Sequence, residues 1–123
     1  MSQIQKNYIA GNWVEGVRSI QNINPSNHAE VVGEFAQASS TQVQAALAAA
    51  KQAQVAWQAT GLEARLNVLQ AIGDEMIARC DELGTLLSRE EGKPFAEGRG
   101  EVYRAGQFFQ YYAAEVLRQM GET

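Results

Sequence analysis

Residues 88–101 read SREEGKPFAEGRGE, and this stretch decides how the chain is divided into helices. Glycine is the residue type best able to adopt the left-handed conformation that ends a helix, and proline often follows one or two positions later. Gly92 and Pro94 have this arrangement. The stretch therefore predicts that one helix stops at Gly92 and that another begins a few residues later.

The same glycines do not have the pattern of a phosphate-binding loop. Such a loop runs from a strand into a helix and has Ser or Thr after its lysine. Here Pro94 follows Lys93, and the preceding segment has a helical pattern. The pair Gly98 and Gly100 is not a dinucleotide fingerprint either, because Tyr103 stands where the third glycine is required.

Composition sets the broad class. The chain has 123 residues, a net charge of −4 and a pI of about 5.0, which suits roughly one domain. Its ten basic residues are scattered, so no nucleic-acid partner is expected, and no apolar stretch approaches the ~18 residues that span a membrane. The N-terminus is polar and Cys80 is the only cysteine. We expect a soluble, cytoplasmic protein without an intrachain disulfide.

The first 38 residues have the pattern of short strands. In NYIAGNWVEG, apolar pairs flank Gly11-Asn12, which suits a tight hairpin turn. The segments SIQNIN and VVGEFA predict two further strands, and Pro25 lies in the turn between them. We expect a small β layer over residues 1–38.

A helical period begins at residue 41. Thr41 and Gln44 have capping-box spacing, and Thr60-Gly61 ends the first predicted helix. Its apolar stripe comprises Val43, Ala46, Leu47, Ala50, Ala53 and Trp57. The next stripe is weakened by Gly73 and Gly84 and breaks near Cys80-Asp81, where Asp81 is predicted to cap a short helix.

The last predicted helix runs from about residue 97 to Met120 and ends at Gly121. Its apolar residues lie on more than one face, whereas a surface helix normally has one apolar stripe. The order of elements predicts an α+β fold in which short strands and a hairpin are followed by about four helices.

No set of residues forms a self-sufficient active site, so we expect neither a catalytic nor a cofactor-binding residue in this chain. Cys80 lies on an apolar stripe before acidic residues, which is typical of a buried structural cysteine. His28 lies in a turn without a second metal ligand or triad partner. Trp13 and Trp57 are interpreted as core anchors. Clustered acidic residues at helix ends are interpreted as solvated charges: Glu90, Glu91, Glu97 and Glu101.

Taken in order, the segments resemble the N-terminal region of NAD(P)-dependent aldehyde dehydrogenases. The resemblance covers nearly the whole chain. It is carried by NYIAGNWVEG, INPSN, VVGEFAQAS, AALAAAKQAQVAW, EARLNVLQAIGDEMIAR and EEGKP.

The resemblance implies the N-terminal part of a cofactor-binding domain, with a β layer over 1–38, a helical part over 39–123 and no catalytic domain. Members of the family are several times longer, and their nucleophilic cysteine, glutamate base, oxyanion asparagine and dinucleotide loop lie further along the chain. We therefore expect the coding sequence to continue past Thr123 and the segment alone to be inactive. The parent would oxidise an aldehyde to a carboxylic acid with NAD or NADP, through a thiohemiacetal and a thioester.

The resemblance also implies site residues and partners. Several members hold a monovalent cation through a backbone carbonyl and an acidic side chain, here Ile23 and Glu90, and oxygen ligands suit a hard cation. The helix after Gly-Lys-Pro lines the aldehyde tunnel in the family, which makes Arg104 a candidate for a substrate carboxylate. The alternative is that Arg104 pairs with Glu101 in solvent.

The segment from Glu90 to Arg118 is most similar to members that oxidise semialdehydes, notably α-ketoglutaric semialdehyde. The expected partners are the remainder of the dehydrogenase chain, a small aldehyde and further copies in a homo-oligomer. A function of a different class stays open, a stand-alone β-plus-helix interaction module that uses the aromatic last helix.

Overall fold

A computed structural model describes residues 4–118 and has the predicted α+β fold. The chain divides into two compact units at Ala59/Thr60, and each is described by itself. The first unit contains β1 (Asn7–Ile9), β2 (Asn12–Val14), β3 (Arg18–Ile23), β4 (Val31–Gln37) and α1 (Ser40–Ala59). The second contains α2 (Leu62–Ala78), α3 (Cys80–Glu91), α4 (Phe95–Glu115) and a 3-10 turn (Val116–Arg118).

The hairpin between β1 and β2 is confirmed, but its turn lies one residue earlier than predicted. Ala10 and Gly11 have φ of 52° and 81°, the positive values that this tight turn requires at both central positions. Asn12 instead begins β2 and pairs with Ile9. The Asn12 side chain donates a hydrogen bond to the Ala10 carbonyl at 3.1 Å. Asn12 therefore supports the turn from its flank.

β3 and β4 form a second antiparallel pair, with a register shift between Asn22 and Ile23. Gln5 extends this sheet as an isolated parallel bridge. Its amide donates to the Glu34 carbonyl at 2.8 Å, and its carbonyl accepts from the Ala36 amide at 2.9 Å.

α1 is capped at Ser39, and the predicted capping box at Thr41 was wrong. The Ser39 hydroxyl accepts a hydrogen bond from the Gln42 amide at 3.1 Å. The Ser39 amide donates to the Gln42 side-chain oxygen at 2.8 Å. Ser39 and Gln42 have the same spacing as Thr41 and Gln44, and both glutamines fit a capping box. The helix ends at Ala59, as the Thr60-Gly61 signal predicts.

The interpretation of the two tryptophans as core anchors was wrong. Trp13 is 68% exposed and Trp57 is 48% exposed. Trp13 lies on a two-stranded hairpin, where it stacks obliquely on Tyr8 with ring centroids 4.9 Å apart. A two-stranded hairpin has too few neighbours to cover both of its faces. α1 has no buried residue, so the apolar stripe that predicted this helix is largely open in the first unit.

The second unit is organised around α4, which packs against both α2 and α3. The break before α3 lies at Arg79, next to the predicted Cys80-Asp81 position. Asp81 does not cap α3, because α3 already begins at Cys80 and Arg79 is its N-terminal flanking residue. α3 ends at Gly92 with φ 71°, the left-handed termination that the sequence predicts.

Glycines mark the places where α4 crosses its neighbours. A Cβ on Gly73 of α2 would lie 2.8 Å from the Gly106 carbonyl oxygen of α4. A Cβ on Gly84 of α3 would lie 2.6 Å from the Arg99 Cα. Gly73 and Gly84, which weaken the apolar stripe in the sequence, therefore permit close helix contacts.

α4 begins two residues before the predicted start, directly after Pro94. Proline fits this position because its fixed φ suits helix entry and the first turn does not need its amide. The regular helix ends at Glu115 and tightens into the 3-10 turn. The predicted end at Met120 and Gly121 lies outside the described residues. None of the helices within residues 4–118 has the length and apolar character needed to cross a membrane.

Candidate functional site

The second apolar face predicted for α4 is an exposed aromatic surface. The packed side of the helix carries its buried residues, Gly98, Val102, Gly106 and Ala113. The open side carries Phe108, Tyr111 and Tyr112, which are 56%, 57% and 60% exposed. Tyr111 and Tyr112 meet edge to face with ring centroids 5.3 Å apart. Among the described residues of the second unit, this face is thus apolar and largely open to solvent.

Two grooves run along this face and share Arg104 and Phe108. The first has a volume of about 560 Å³ and the second about 320 Å³. The first is lined by Ala96, Glu97, Gly100, Glu101, Arg104, Ala105 and Phe108. The second is lined by Arg104, Gln107, Phe108, Tyr111 and Tyr112. Because the second groove has no carboxylate among its lining residues, Arg104 is its only charged group.

Arg104 does not form the pair with Glu101 that the helix spacing allows. The Glu101 carboxylate is bound by the Lys93 ammonium, with Oε2 to Nζ at 2.6 Å. Within residues 4–118 the guanidinium of Arg104 has no carboxylate partner. The solvent-face pairing of Glu101 with Arg104 was therefore wrong, and Arg104 keeps an uncompensated charge beside an aromatic groove.

Lys93 is the residue that the sequence reasoning missed. Its ammonium binds Glu91 and Glu101, both at 2.6 Å, and its side chain is only 14% exposed. The hydrogen bond to Glu101, followed by that to Glu91, raises the pKa of Lys93 above its ordinary value. The sequence contains the three charges, but Lys93 lies in a turn, where no helical period predicts which carboxylate it reaches.

Ser88 holds the turn that positions Lys93. The Ser88 carbonyl accepts hydrogen bonds from the amides of Gly92 at 2.8 Å and Lys93 at 3.1 Å. The Ser88 hydroxyl donates to the Pro94 carbonyl at 3.3 Å. These bonds are made by a buried residue of α3 and connect it to the start of α4. The direction in which Lys93 leaves the turn is therefore determined by the backbone.

A separate ion pair joins α3 to α4. Arg99 Nε lies 2.5 Å from Asp81 Oδ1. The hydrogen bond from Arg99 is the largest reason why the pKa of Asp81 is lowered from its ordinary value. Arg99 and Arg104 are about one and a half turns apart on α4, and among residues 4–118 Arg99 has a carboxylate partner whereas Arg104 has none.

Cys80 and His28 have the structural settings predicted for them. Cys80 is 7% exposed, and its sulfur lies 3.7 Å from Asp81 Oδ1. His28 lies in the exposed turn between β3 and β4. In the described part of the chain, no three His, Cys, Asp or Glu residues are grouped closely enough to hold a metal ion.

The two residues of the expected cation site lie in different units. Ile23 is the last residue of β3, at the register shift, and its neighbour Asn24 is buried. Asn24 donates to Glu30 Oε2 at 2.8 Å, which orders the turn that follows. Glu90 lies in the last turn of α3 and is partly buried.

Gly98 and Gly100 do not have the setting of a phosphate-binding loop. Gly98 and Gly100 lie inside α4, and the Gly98 amide already donates to the Pro94 carbonyl at 3.2 Å. A phosphate cradle needs amides that point away from the helix axis into a loop cavity. Gly98 and Gly100 are therefore part of a regular helix and not of an open loop.

Comparison with known proteins identifies the family. The profile of the aldehyde dehydrogenase family matches residues 13–123. The chain belongs to the aldehyde dehydrogenase family.

The similar proteins include dehydrogenases of semialdehydes. The glutarate-semialdehyde dehydrogenase of Pseudomonas aeruginosa is 34% identical over 97% of this chain and 25% of its own length. The alpha-ketoglutarate semialdehyde dehydrogenase of Haloferax volcanii is 35% identical over 94% of this chain and 24% of its own length. The chain thus spans about a quarter of the length of the curated relatives that it matches.

Solved structures of the family share the fold of the segment. The NAD-dependent benzaldehyde dehydrogenase of Corynebacterium glutamicum has a TM-score of 0.88 at 32% identity, over 96% of this chain and 26% of that one. An NADP-dependent enzyme of Escherichia coli has a TM-score of 0.90 at 31% identity, over 97% and 25%. The family therefore includes similar structures that use either cofactor.

Proposed function

We propose that this chain acts as the N-terminal part of the cofactor-binding domain in an NAD(P)-dependent dehydrogenase that oxidises a semialdehyde acid to a dicarboxylic acid. The observation that carries the proposal is the match to semialdehyde dehydrogenases over nearly the whole chain. The guanidinium of Arg104 has no carboxylate partner in the described part of the chain, and this supports the substrate class, because a semialdehyde acid has a carboxylate at its far end.

Arg104 has the chemistry to bind that carboxylate. A guanidinium presents a planar fork of donors that matches two carboxylate oxygens. The adjoining groove, with Phe108, Tyr111 and Tyr112, provides an apolar surface for the aliphatic body of the substrate. Arg104 would orient the substrate, while the remainder of the dehydrogenase would supply the nucleophile, the base and the cofactor loop. The bound dinucleotide would accept the hydride of the aldehyde.

The test compares a charged and an uncharged aldehyde in the dehydrogenase that carries this segment. Arg104→Ala should lower kcat/KM for glutarate semialdehyde, with a loss of transition-state stabilisation of about 1.5–3 kcal/mol. It should leave kcat/KM for pentanal unchanged, because only the first substrate loses a charged hydrogen bond. Arg118→Ala is the matched control, since Arg118 pairs with Glu115 at 3.1 Å and lines neither groove. Equal losses for both aldehydes, or none, would remove Arg104 from the substrate site.

The segment alone is proposed to be inactive and to bind neither NAD nor NADP. The helical setting of Gly98 and Gly100 supports this, because their position inside α4 leaves no open loop for a phosphate. Calorimetric titration of the 123-residue chain with each dinucleotide provides the measurement. Binding in the micromolar range would refute the proposal.

A monovalent cation site formed by the Ile23 carbonyl and the Glu90 carboxylate is a separate proposal. Oxygen ligands of this kind suit a hard cation. In the parent enzyme, potassium should raise the melting temperature relative to choline at equal ionic strength. Glu90→Gln should abolish that difference, and a potassium effect that persists in this variant would exclude Glu90.

The parent is proposed to be a cytoplasmic homo-oligomer. Sedimentation of the enzyme and fractionation of the cells that produce it test the two statements. The alternative function, a stand-alone interaction module, also makes use of the exposed α4 face. Reading the coding frame past Thr123 separates the two functions, because only the dehydrogenase requires a downstream segment with a nucleophilic cysteine.

A further inference from the structure

Arg104 and Lys93 are alternative partners for the carboxylate of Glu101. Arg104 and Glu101 are three residues apart on α4, and side chains at this spacing are neighbours on a helix surface. In an Arg104–Glu101 pair, the Glu101 carboxylate would occupy the hydrogen-bond donors of the guanidinium. The structure shows another outcome, because Lys93 binds Glu101 with Nζ to Oε2 at 2.6 Å.

We infer that Lys93 is a positioning residue that holds Glu101 away from Arg104 and so keeps the guanidinium open to a substrate carboxylate. The inference rests on the proposed function of Arg104 and adds to it a second determinant of substrate class. Lys93 itself lines neither groove, so it acts through Glu101 rather than by contact with substrate.

The geometry of Lys93 suits this task. Its backbone is fixed by the bond from its amide to the Ser88 carbonyl, and its side chain is mostly covered. Glu91, the last residue of α3, supplies a second carboxylate at 2.6 Å from the ammonium. The attraction of two carboxylates holds the ammonium of Lys93 in position. Glu101 is therefore held by a partner that does not take part in the groove.

The decisive variant is Lys93→Met in the dehydrogenase that carries this segment. It frees Glu101 to pair with Arg104. An exposed ion pair of this kind is worth up to about 1 kcal/mol, so kcat/KM for glutarate semialdehyde should fall about 2- to 5-fold. The loss should appear mainly in KM, and pentanal should be oxidised at the original rate. Lys51→Met is the matched control, because it removes an exposed lysine of α1 that lines neither groove, and it should change kcat/KM for neither substrate.

Rescue separates positioning from a structural role. In the double variant Lys93→Met with Glu101→Gln, the freed carboxylate of Glu101 no longer competes for Arg104, so kcat/KM for glutarate semialdehyde should return to the original value. If the double variant stays impaired, or if both aldehydes are affected equally, the inference is overturned. Lys93→Gln, which keeps a polar head in the covered position, repeats the test if Lys93→Met lowers the yield of folded enzyme.

The result also separates this inference from the proposed function. A selective loss in Arg104→Ala without any change in Lys93→Met overturns the role of Lys93 and leaves the carboxylate site of Arg104 in place. Equal losses for both aldehydes in Arg104→Ala overturn the carboxylate site and, with it, the role of Lys93. A selective loss in both variants, with rescue by Glu101→Gln, supports the two together.

Discussion

At the scale of single residues, backbone conformation decides what each turn can accept. Gly92 has φ 71°, which glycine adopts without strain, and here the sequence signal and the structure agree. Ala10 has φ 52°, in a region that costs residues with a Cβ about 1–2 kcal/mol. The hairpin therefore has an ideal residue at its second central position and a poor one at its first.

Replacement of Ala10 by Asn should stabilise the hairpin. Asn-Gly is a favoured pair for this turn, because asparagine tolerates positive φ better than alanine does. We expect Ala10→Asn to increase the free energy of unfolding by about 0.5–1 kcal/mol, seen as a higher melting temperature. Ala29→Asn is the control, since Ala29 is an exposed turn residue without positive φ. An equal gain in both variants would show that the turn conformation is not the cause.

The ion pair of Asp81 with Arg99 makes a pH-dependent contribution to stability. The pKa of Asp81 is lower in the folded protein than its ordinary value of 3.8, so the pair stabilises the fold fully above that value. The contribution is lost as the pH falls through the lower, folded pKa, because protonation removes the charge. Asp81→Asn should therefore reduce the melting temperature at pH 7 and have a shrinking effect below pH 3.8.

Arg99→Gln should show the same pH profile as Asp81→Asn, and the double variant should be no worse than either single one. Melting curves between pH 2 and pH 7 provide the comparison. A destabilisation by Asp81→Asn that is undiminished at the acid end would mean that the carboxylate charge is not responsible.

At the scale of elements, helix crossings depend on the absence of side chains. A Cβ on Gly106 would lie 2.6 Å from Ile77 Cγ1, whereas a Cβ on Gly100 of the same helix meets nothing within 4 Å. Within the second unit, α4 can therefore approach α2 closely at Gly106 and has room at Gly100.

Replacement by alanine should destabilise the protein at the helix crossings and stabilise it at Gly100. Gly73→Ala and Gly106→Ala should each lower the free energy of unfolding by roughly 1–2 kcal/mol, because overpacking exceeds the gain in helix propensity. Gly100→Ala should raise it by roughly 0.5–1 kcal/mol, since only the propensity gain applies. Urea unfolding of the three variants is the measurement. A destabilising Gly100→Ala, or a neutral Gly73→Ala, would contradict the crossing geometry.

The sequence predicts the type and order of elements well because each has a local cause. The helix end at Gly92 needs only glycine and the following proline. The start of α1 was missed because Ser39 and Thr41 are both followed three residues later by glutamine. The same local rule fits both positions, and only the path from β4 into the helix selects Ser39. Local signals thus determine which element forms more reliably than where it starts.

The candidate site was only half predictable for a similar reason. Arg104 can be located on the last helix from the sequence, and its neighbour Glu101 follows from helical spacing. The partner that Glu101 takes is Lys93, which comes from the turn before the helix. A helix period contains no information on a side chain outside the helix. Competing ion pairs therefore need the folded backbone to decide between them.

At the scale of the whole molecule, the described residues bury few apolar side chains. Within residues 4–118 the buried apolar residues are Cys80, Val102 and Ala113, and no large side chain is fully buried. Burial of apolar area is the main favourable term in folding, at about 25 cal/mol per Å². Each unit therefore has a thin core, while α1 and α4 keep apolar faces open.

We expect the isolated 123-residue chain to self-associate or to be loosely packed, because water contact with the open faces is unfavourable. Sedimentation velocity should show species larger than a monomer, and a dye that binds exposed apolar surface should fluoresce. Replacement of Phe108 and Tyr111 by serine should reduce both signals, since the two rings form much of the α4 face. Serine at the exposed positions Gln44 and Gln54 of α1 is the matched control and should change neither signal. A compact monomer that unfolds cooperatively would show that the two units are stable with these faces in water.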